Sequence, residues 1–322
     1  MELFKTQTQF IKNTIEEYQF KQDPYNLYDP LNYILKLGGK HIRPILALSA
    51  FELFSDDLDK IKKPAIALEW FHNFTLIHDD IMDDASLRRG NETVHTKWDV
   101  NTAILSGDAL MIKSYELFED LEPSLFKKCI QLFTKTAIEV CEGQQYDVDF
   151  ETRDDVTLHD YIEMITLKTA VLIATSLKIG AMIGKASDED AENLYQFGKY
   201  LGIAFQIQDD YLDIYGDMEK VGKRHAGDIY ENKKTILYLK ALEKGNAQQK
   251  ERLLTLYAST SQKVEKVDEV IQLFEALQIP EETLNESYRY QKLALEHLSK
   301  VTTLKSKEKL VYLSEYLIKR DL

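Results

Sequence analysis

Apolar residues recur along almost all of this 322-residue chain at the three- and four-residue spacing of helices, and clean period-two alternation is hard to find. Leu31, Ile34 and Leu35 form one stripe; Ile130, Phe133, Thr134, Ala137 and Ile138 form another. Pro44, shortly after Gly38-Gly39, suits the first turn of a helix running through Ile45, Leu48, Ala50 and Leu53. Pro64 likewise suits the opening of a helix through Trp70 and Leu76 toward Asp84. Ser187, with Asp190 three residues later, reads as a helix N-cap. Breaks are expected at 55–63, 85–96, 120–124, 150–157, 184–188, 215–232, 244–247 and 279–282, which leaves roughly a dozen helices and no convincing sheet. The charged, Gln-rich stretch 244–305 reads as solvated amphipathic helices. Length alone suggests about two domains. With only 6 Pro and 13 Gly, however, no Pro- or Gly/Ser-rich linker divides the chain, and a single all-α domain over 1–322 is expected.

A hydrophobic content of 44% is ample for a buried core and too high for a disordered chain. Forty basic against 54 acidic residues leave a formal charge of −14, which argues against nucleic acid as a partner. Two cysteines, Cys129 and Cys141, cannot build a disulfide scaffold and point to a reducing compartment. The first residues lack an apolar signal-peptide core, and no stretch of about 18 uninterrupted apolar residues occurs, so a membrane span is not expected and a cytoplasmic location is.

Two acidic clusters stand about 130 residues apart. Asp79-Asp80-Ile81-Met82-Asp83-Asp84 ends a strongly apolar helical segment. On a helix Asp79 and Asp83 share a face, as do Asp80 and Asp84, and like charges so placed cost about 0.2–0.5 kcal/mol per pair. The macrodipole at a helix C-terminus disfavours anions as well. A cation that supplies the missing charge resolves the conflict. Asp209-Asp210-Tyr211-Leu212-Asp213 repeats the arrangement after the apolar segment Leu201–Phe205. Oxygen ligands alone favour hard cations, and Mg²⁺ characteristically takes one or two carboxylates together with phosphate oxygens. No Cys/His spacing suggests zinc. Positive charge follows where a diphosphate needs it: Arg88-Arg89-Gly90, the segment Gly38-Gly39-Lys40-His41-Ile42-Arg43-Pro44, then Lys168-Thr169, Lys223 and Lys233-Lys234-Thr235. His72 lies about two turns before Asp79 on the same helix face.

These landmarks, with Gly143-Gln144 between them, occur in the order seen in the trans-isoprenyl diphosphate synthases (polyprenyl synthases), which the chain resembles from about Leu27 to Thr235. The resemblance implies an all-helical isoprenoid synthase fold around a central cavity, with the two aspartate clusters on its walls, and usually a homodimer. By position, Asp79, Asp80, Asp83, Asp209, Asp210 and Asp213 match ligands of Mg²⁺, up to three ions per active site, bridging to an allylic diphosphate. Arg88, Lys168, Lys223 and Lys233 match residues holding that diphosphate. Lys40, Arg43, His72 and Arg89 match the metal-free pocket for isopentenyl diphosphate, and Gln206 and Thr169 match polar residues near the reacting carbons. The chain departs from the family pattern at His41, where Arg is common, at Asn91-Glu92-Thr93, and at Ala226, a place often held by Gly.

The implied reaction ionises an allylic diphosphate (dimethylallyl, geranyl or farnesyl), and the double bond of isopentenyl diphosphate attacks the resulting cation. Proton loss completes a five-carbon extension and diphosphate is released. Metal and cationic side chains neutralise the leaving group, and water must be kept away. At 1.5 Å per helical residue, Thr75, Phe74 and Phe71 lie about 6, 7.5 and 12 Å below Asp79. In the family, bulk there forms the floor of the tail cavity. Phe74 beside the smaller Thr75 suggests a short-chain enzyme making mainly geranylgeranyl diphosphate, with farnesyl diphosphate the alternative. A class I terpene cyclase is a rival reading, but it would usually carry an Asn/Ser/Glu motif in place of Asp209–Asp213 and lack the second diphosphate pocket. A regulatory prenyl synthase subunit would tend to lose part of one cluster, and both are complete here.

Overall fold

Residues 2–216, 225–259 and 263–319 are described by the computed structural model. Helices α1 (Lys5–Glu17), α2 (Tyr25–Lys36), α3 (Ile42–Glu52) and α4 (Asp59–Met82) lead into a two-stranded hairpin. Its strands are β1 (Leu87–Arg88) and β2 (Asn91–Glu92), paired Leu87 to Glu92 and Arg88 to Asn91. There follow α5 (Val94–Lys97), α6 (Val100–Glu116), α7 (Pro123–Thr152), α8 (Leu158–Ile165), a π-helical turn at Thr166–Ala170, α9 (Val171–Ile183) and α10 (Asp188–Tyr215). The remaining helices are α11 (Gly227–Tyr230), α12 (Ile236–Lys244), α13 (Ala247–Tyr257), α14 (Val264–Ala276), α15 (Ile279–Lys300) and α16 (Glu308–Lys319). The all-α class read from periodicity is borne out, the hairpin being the one pair of strands among the described residues.

Local chemistry sets the helix ends. Ser187 Oγ accepts from Asp190 N at 3.0 Å, as expected of an N-cap. Thr157 and Asp160 form a reciprocal capping box at α8, and Asp99 Oδ1 accepts from Thr102 N at α6. Pro44 is the third residue of α3, where its missing N–H is no loss. Pro64 is a correction: α4 begins five residues before it. Proline's fixed φ is helical, and so near an N-terminus it removes one hydrogen bond without ending the helix.

The chain gathers into two compact units. The first comprises Met1–Thr134, Thr175–Tyr195 and Val301–Leu310. At its centre is α4, 13 of whose 24 residues are buried, including Trp70, Phe71, Phe74 and Ile77. A helix apolar on every side needs neighbours on every side, and α3, α6 and α1 supply them. Phe71 stacks edge-on to Phe133, centroids 5.2 Å apart, and Phe133 also meets Tyr115 and Phe118.

The second unit comprises Lys135–Ala174, Gln196–Lys300 and Val311–Leu322. Here the π-helical turn is pinned between two glycines. A Cβ on Gly143 of α7 would lie 2.2 Å from Lys168 N, and one on Gly202 of α10 would lie 2.5 Å from Ala170 Cα. Only the absence of side chains lets the three backbones approach. Lys234 Nζ donates to the carbonyls of Phe150 and Arg153 at the end of α7, which neutralises its orphan acceptors.

The continuous stretch Leu158–Ile183 is long and apolar enough to cross a membrane by those two measures, although no uninterrupted apolar run was evident in it. Some 72% of its most apolar window is buried within the protein, the environment of a core helix.

Candidate active site

The first acidic cluster closes α4. Asp79 and Asp80 occupy the last turn, Asp83 is the C-cap, and Asp84 takes a left-handed conformation with φ 48°. The Ala85 N–H then reaches back to the Asp80 carbonyl at 2.9 Å, which terminates the helix by the usual left-handed motif. The hairpin follows at once, its turn made by Arg89 (φ 54°) and Gly90 (φ 74°), the left-handed pair that matches the twist of two strands.

That turn gives the two consecutive arginines different tasks. Arg88 folds back onto the helix end, Nε lying 2.8 Å from both carboxylate oxygens of Asp80 and Nη2 2.7 Å from Oδ1. Asp80 is 1% exposed, so this forked contact supplies the charge its burial demands. Arg89 instead lies against Gly39: a Cβ there would come within 2.8 Å of the Arg89 guanidinium, and Gly39 also holds φ 149°.

Arg89 joins a cavity of about 390 Å³ lined by Gly39, Lys40, His41, Arg43, Glu69 and His72. All four residues expected in the isopentenyl diphosphate pocket, Lys40, Arg43, His72 and Arg89, thus line one cavity. Burial lowers the Arg43 pKa to about 10 against the opposing pull of Glu69 and Asp79. Burial, then the nearby Arg43, Arg89 and Arg88, hold His72 well below its ordinary range. His72 is therefore a neutral hydrogen-bonding group at pH 7.

The residues expected to form the tail floor lie on the same helix. Phe71 and Phe74 have ring centroids 5.4 Å apart, and Phe74 meets His78 edge-on at 4.8 Å. Phe74 is 8% exposed, while Thr75 is half-buried and donates to the His72 carbonyl at 2.8 Å.

In the second unit Asp209, Asp210 and Asp213 lie in the last turns of α10. Asp210 is the buried member. It accepts from Tyr161 Oη at 2.6 Å and from Gln206 Nε2 at 3.0 Å, and Gln206 Oε1 accepts from Thr169 Oγ1 at 3.0 Å. Thr169, Gln206 and Asp210, singled out separately in the sequence, form one chain of hydrogen bonds. Burial raises the Asp210 carboxyl to about 7, opposed by its bonds from Tyr161 and Gln206. Asp213 Oδ2 accepts from the Asp228 backbone N–H at 3.0 Å. Burial, then Asp213 and Asp210, push the Asp228 carboxyl well above the carboxylate range. Ala226 has φ 54°, which explains why glycine is common at that place: the loop needs a left-handed residue there.

Lys168, on the π-helical turn, donates to Asp147 Oδ2 at 2.5 Å. Lys233 Nζ is 3.0 Å from Glu231 Oε2. Lys223 lies outside the described residues. Sequence reasoning missed Tyr161, Asp147 and Glu69, and it noted His41 only as a departure from the family pattern. Asp147 had a signal, standing one turn after Gly143-Gln144. Tyr161 had none, because only the packing of α8 against α10 gives it a role.

Among the described residues, no three His, Cys, Asp or Glu side chains enclose a metal by themselves. The donors at both clusters are hard carboxylate oxygens with no thiolate or imidazole among the expected ligands. That set fits Mg²⁺, which completes its shell with water and phosphate oxygens rather than with an all-protein cage.

The polyprenyl synthetase family model matches residues 24–274. The chain belongs to that family. It is 43% identical over 243 residues, 75% of either chain, to the geranylgeranyl diphosphate synthase of Methanosarcina mazei. It is 37% identical over 324 residues, 99% of either chain, to the geranylgeranyl pyrophosphate synthase of Geoglobus acetivorans. Among solved structures, a geranylgeranyl pyrophosphate synthase superposes with a TM-score of 0.92 at 44% identity, covering 98% of each chain. The enzyme of that name from Pyrococcus horikoshii gives 0.92 at 34% identity, covering 99% of this chain and 98% of its own. The family expected from the order of motifs is thereby borne out, and this polyprenyl synthase is a prenyltransferase with the helical fold of its relatives.

Proposed function

We propose that this polyprenyl synthase, acting as one domain over 1–322, joins isopentenyl diphosphate to an allylic diphosphate and releases mainly geranylgeranyl diphosphate. The observation that carries the reading is that the cationic side chains of the first unit fall into two groups. Arg88 stands with the carboxylates at the end of α4, whereas Lys40, Arg43, His72 and Arg89 line a cavity of their own. An elongating enzyme needs both, one for a diphosphate that leaves and one for a diphosphate that stays. The names of the relatives above support the product assignment.

Asp79, Asp80, Asp83, Asp209, Asp210 and Asp213 would hold Mg²⁺, which when bound supplies the positive charge that stabilises the leaving diphosphate. Arg88, Lys168, Lys223 and Lys233 add cationic donors for the same group. Lys40, Arg43 and Arg89 orient isopentenyl diphosphate, with neutral His72 hydrogen-bonding it. The apolar faces of Phe71 and Phe74 exclude water and limit the tail, and Thr169 and Gln206 present dipoles to developing positive charge. No side-chain nucleophile is required. Ile104, Leu105 and Ile112, exposed on α6, offer apolar side chains to a homodimer contact, and the cytoplasm is the compartment its free thiols suit.

Incubation with labelled isopentenyl diphosphate and each of dimethylallyl, geranyl and farnesyl diphosphates tests this. Chromatography of the dephosphorylated products should show mainly the C20 alcohol, and excess EDTA should abolish turnover. Cyclised products without elongation, or undiminished turnover in EDTA, would overturn it.

A further inference from the structure

The cavity wall contains a carboxylate that an anion pocket does not obviously need. Glu69 lies on α4 one turn before His72 and is 2% exposed. Its Oε1 accepts from His41 Nδ1 at 2.7 Å, and His41 is itself 5% exposed. Its other oxygen, Oε2, is buried without a hydrogen-bond partner, as is Arg43 Nε. Glu69 also favours the charged forms of both Arg43 and Arg89, whose burial works against them.

We propose that Glu69 is a positioning residue for the diphosphate-binding cations of this cavity, fixing His41 and Arg43 for isopentenyl diphosphate. The inference rests on the reading of the cavity as the isopentenyl diphosphate pocket. A carboxylate in such a wall weakens the raw attraction for a diphosphate, so what it contributes is geometry. His41 is the left-handed residue (φ 46°) that starts α3, a conformation costly for a residue with a Cβ. The buried bond to Glu69 holds it there, and Arg43 follows two residues later in the first turn of the same helix. Glu69 also lets the two arginines remain close together, because it partly neutralises their mutual repulsion. The orphaned Arg43 Nε is a donor that the fold leaves unsatisfied and that a diphosphate oxygen can accept from.

Steady-state kinetics of Glu69→Gln, which keeps the shape and removes the charge, tests this. The KM for isopentenyl diphosphate should rise about tenfold, as expected for loss of a charged contact, while kcat and the allylic KM stay within about twofold. A merely structural residue would instead lower the active fraction and so kcat, leaving both KM values alone. Calorimetric titration with isopentenyl diphosphate in metal-free buffer should show the same loss. His41→Asn, whose side chain tolerates the left-handed backbone, should reproduce it and carries the test if Glu69→Gln does not fold. An unchanged or lower isopentenyl KM in the variant that folds overturns the proposal. Lys40→Ala and Arg43→Ala identify which idea failed. If they raise that KM while Glu69→Gln does not, Glu69 has no positioning role; if they too leave it unchanged, the pocket has been misread.

Discussion

Replacing Gly143 with alanine should damage catalysis through a contact that no substrate makes. The added Cβ would meet Lys168 N at 2.2 Å and both Leu167 C and Lys168 Cα at 2.7 Å, whereas ordinary contact begins near 3.4 Å. The π-helical turn would have to retreat by 3.4 − 2.2 = 1.2 Å. These three nearest atoms are all backbone, so no side chain can swing aside, and Gly202 packs as closely against Ala170 of the same turn. Overpacking of this kind costs about 1–3 kcal/mol of stability. The larger effect is on rate, because Lys168 and Thr169 travel with the turn, and a misplacement of about 1 Å can cost about 10²-fold. Turnover of farnesyl and isopentenyl diphosphates by purified Gly143→Ala, with circular dichroism confirming the fold, should therefore show kcat reduced about a hundredfold. The isopentenyl KM should hold, since the cavity proposed to bind it is lined by residues of the first unit. A folded Gly143→Ala with kcat within twofold of the parent would refute the close-packing account.

Phe74→Ala should lengthen the product by at least one isoprene unit, read by chromatography, and should lower stability by about 3–5 kcal/mol because the ring is buried; an unchanged product would place the floor elsewhere. Arg88→Ala should destabilise the protein by about 3 kcal/mol at neutral pH, leaving Asp80 buried and unpaired. A denaturant unfolding series at neutral pH on the parent and the variant checks it, and equal midpoints would refute it. His72 is depressed in the folded state, so its contribution to stability is present above the ordinary histidine pKa near 6.5 and is lost as pH falls below it. The difference in melting temperature between the parent and His72→Gln should therefore change sharply between pH 7 and pH 5. A flat difference would mean that His72 protonates freely in the fold.

The helices were readable because burial on many sides writes a long apolar period into the chain, as in α4. The acidic clusters were readable because charge at the C-terminal end of an apolar helix violates an elementary preference. What escaped was whatever depends on a turn. The family resemblance assigns Arg88 and Arg89 to different pockets, but nothing in the dipeptide itself says why the two side chains part company. The split arises because Arg89 adopts a left-handed conformation that arginine seldom takes, and only the hairpin enforces it. The two lysines of Lys233-Lys234 look equivalent in sequence, yet Lys234 caps the carbonyls that end α7. The start of α4 escaped for a smaller reason, proline's compatibility with an early helical turn. Glu69 escaped because its bond to His41, 28 residues away, needs the packing of α3 on α4.

Each acidic row keeps its most deeply buried carboxylate in protein hands. Asp80 is clasped by a guanidinium, and Asp210 is held by a phenol and an amide. Folding therefore does not wait on a mineral. The melting temperature in chelator should sit within a few degrees of its value in magnesium, unlike that of domains whose architecture collapses when the ion is stripped away. Such a scaffold would keep its shape whether or not Mg²⁺ occupied the aspartates.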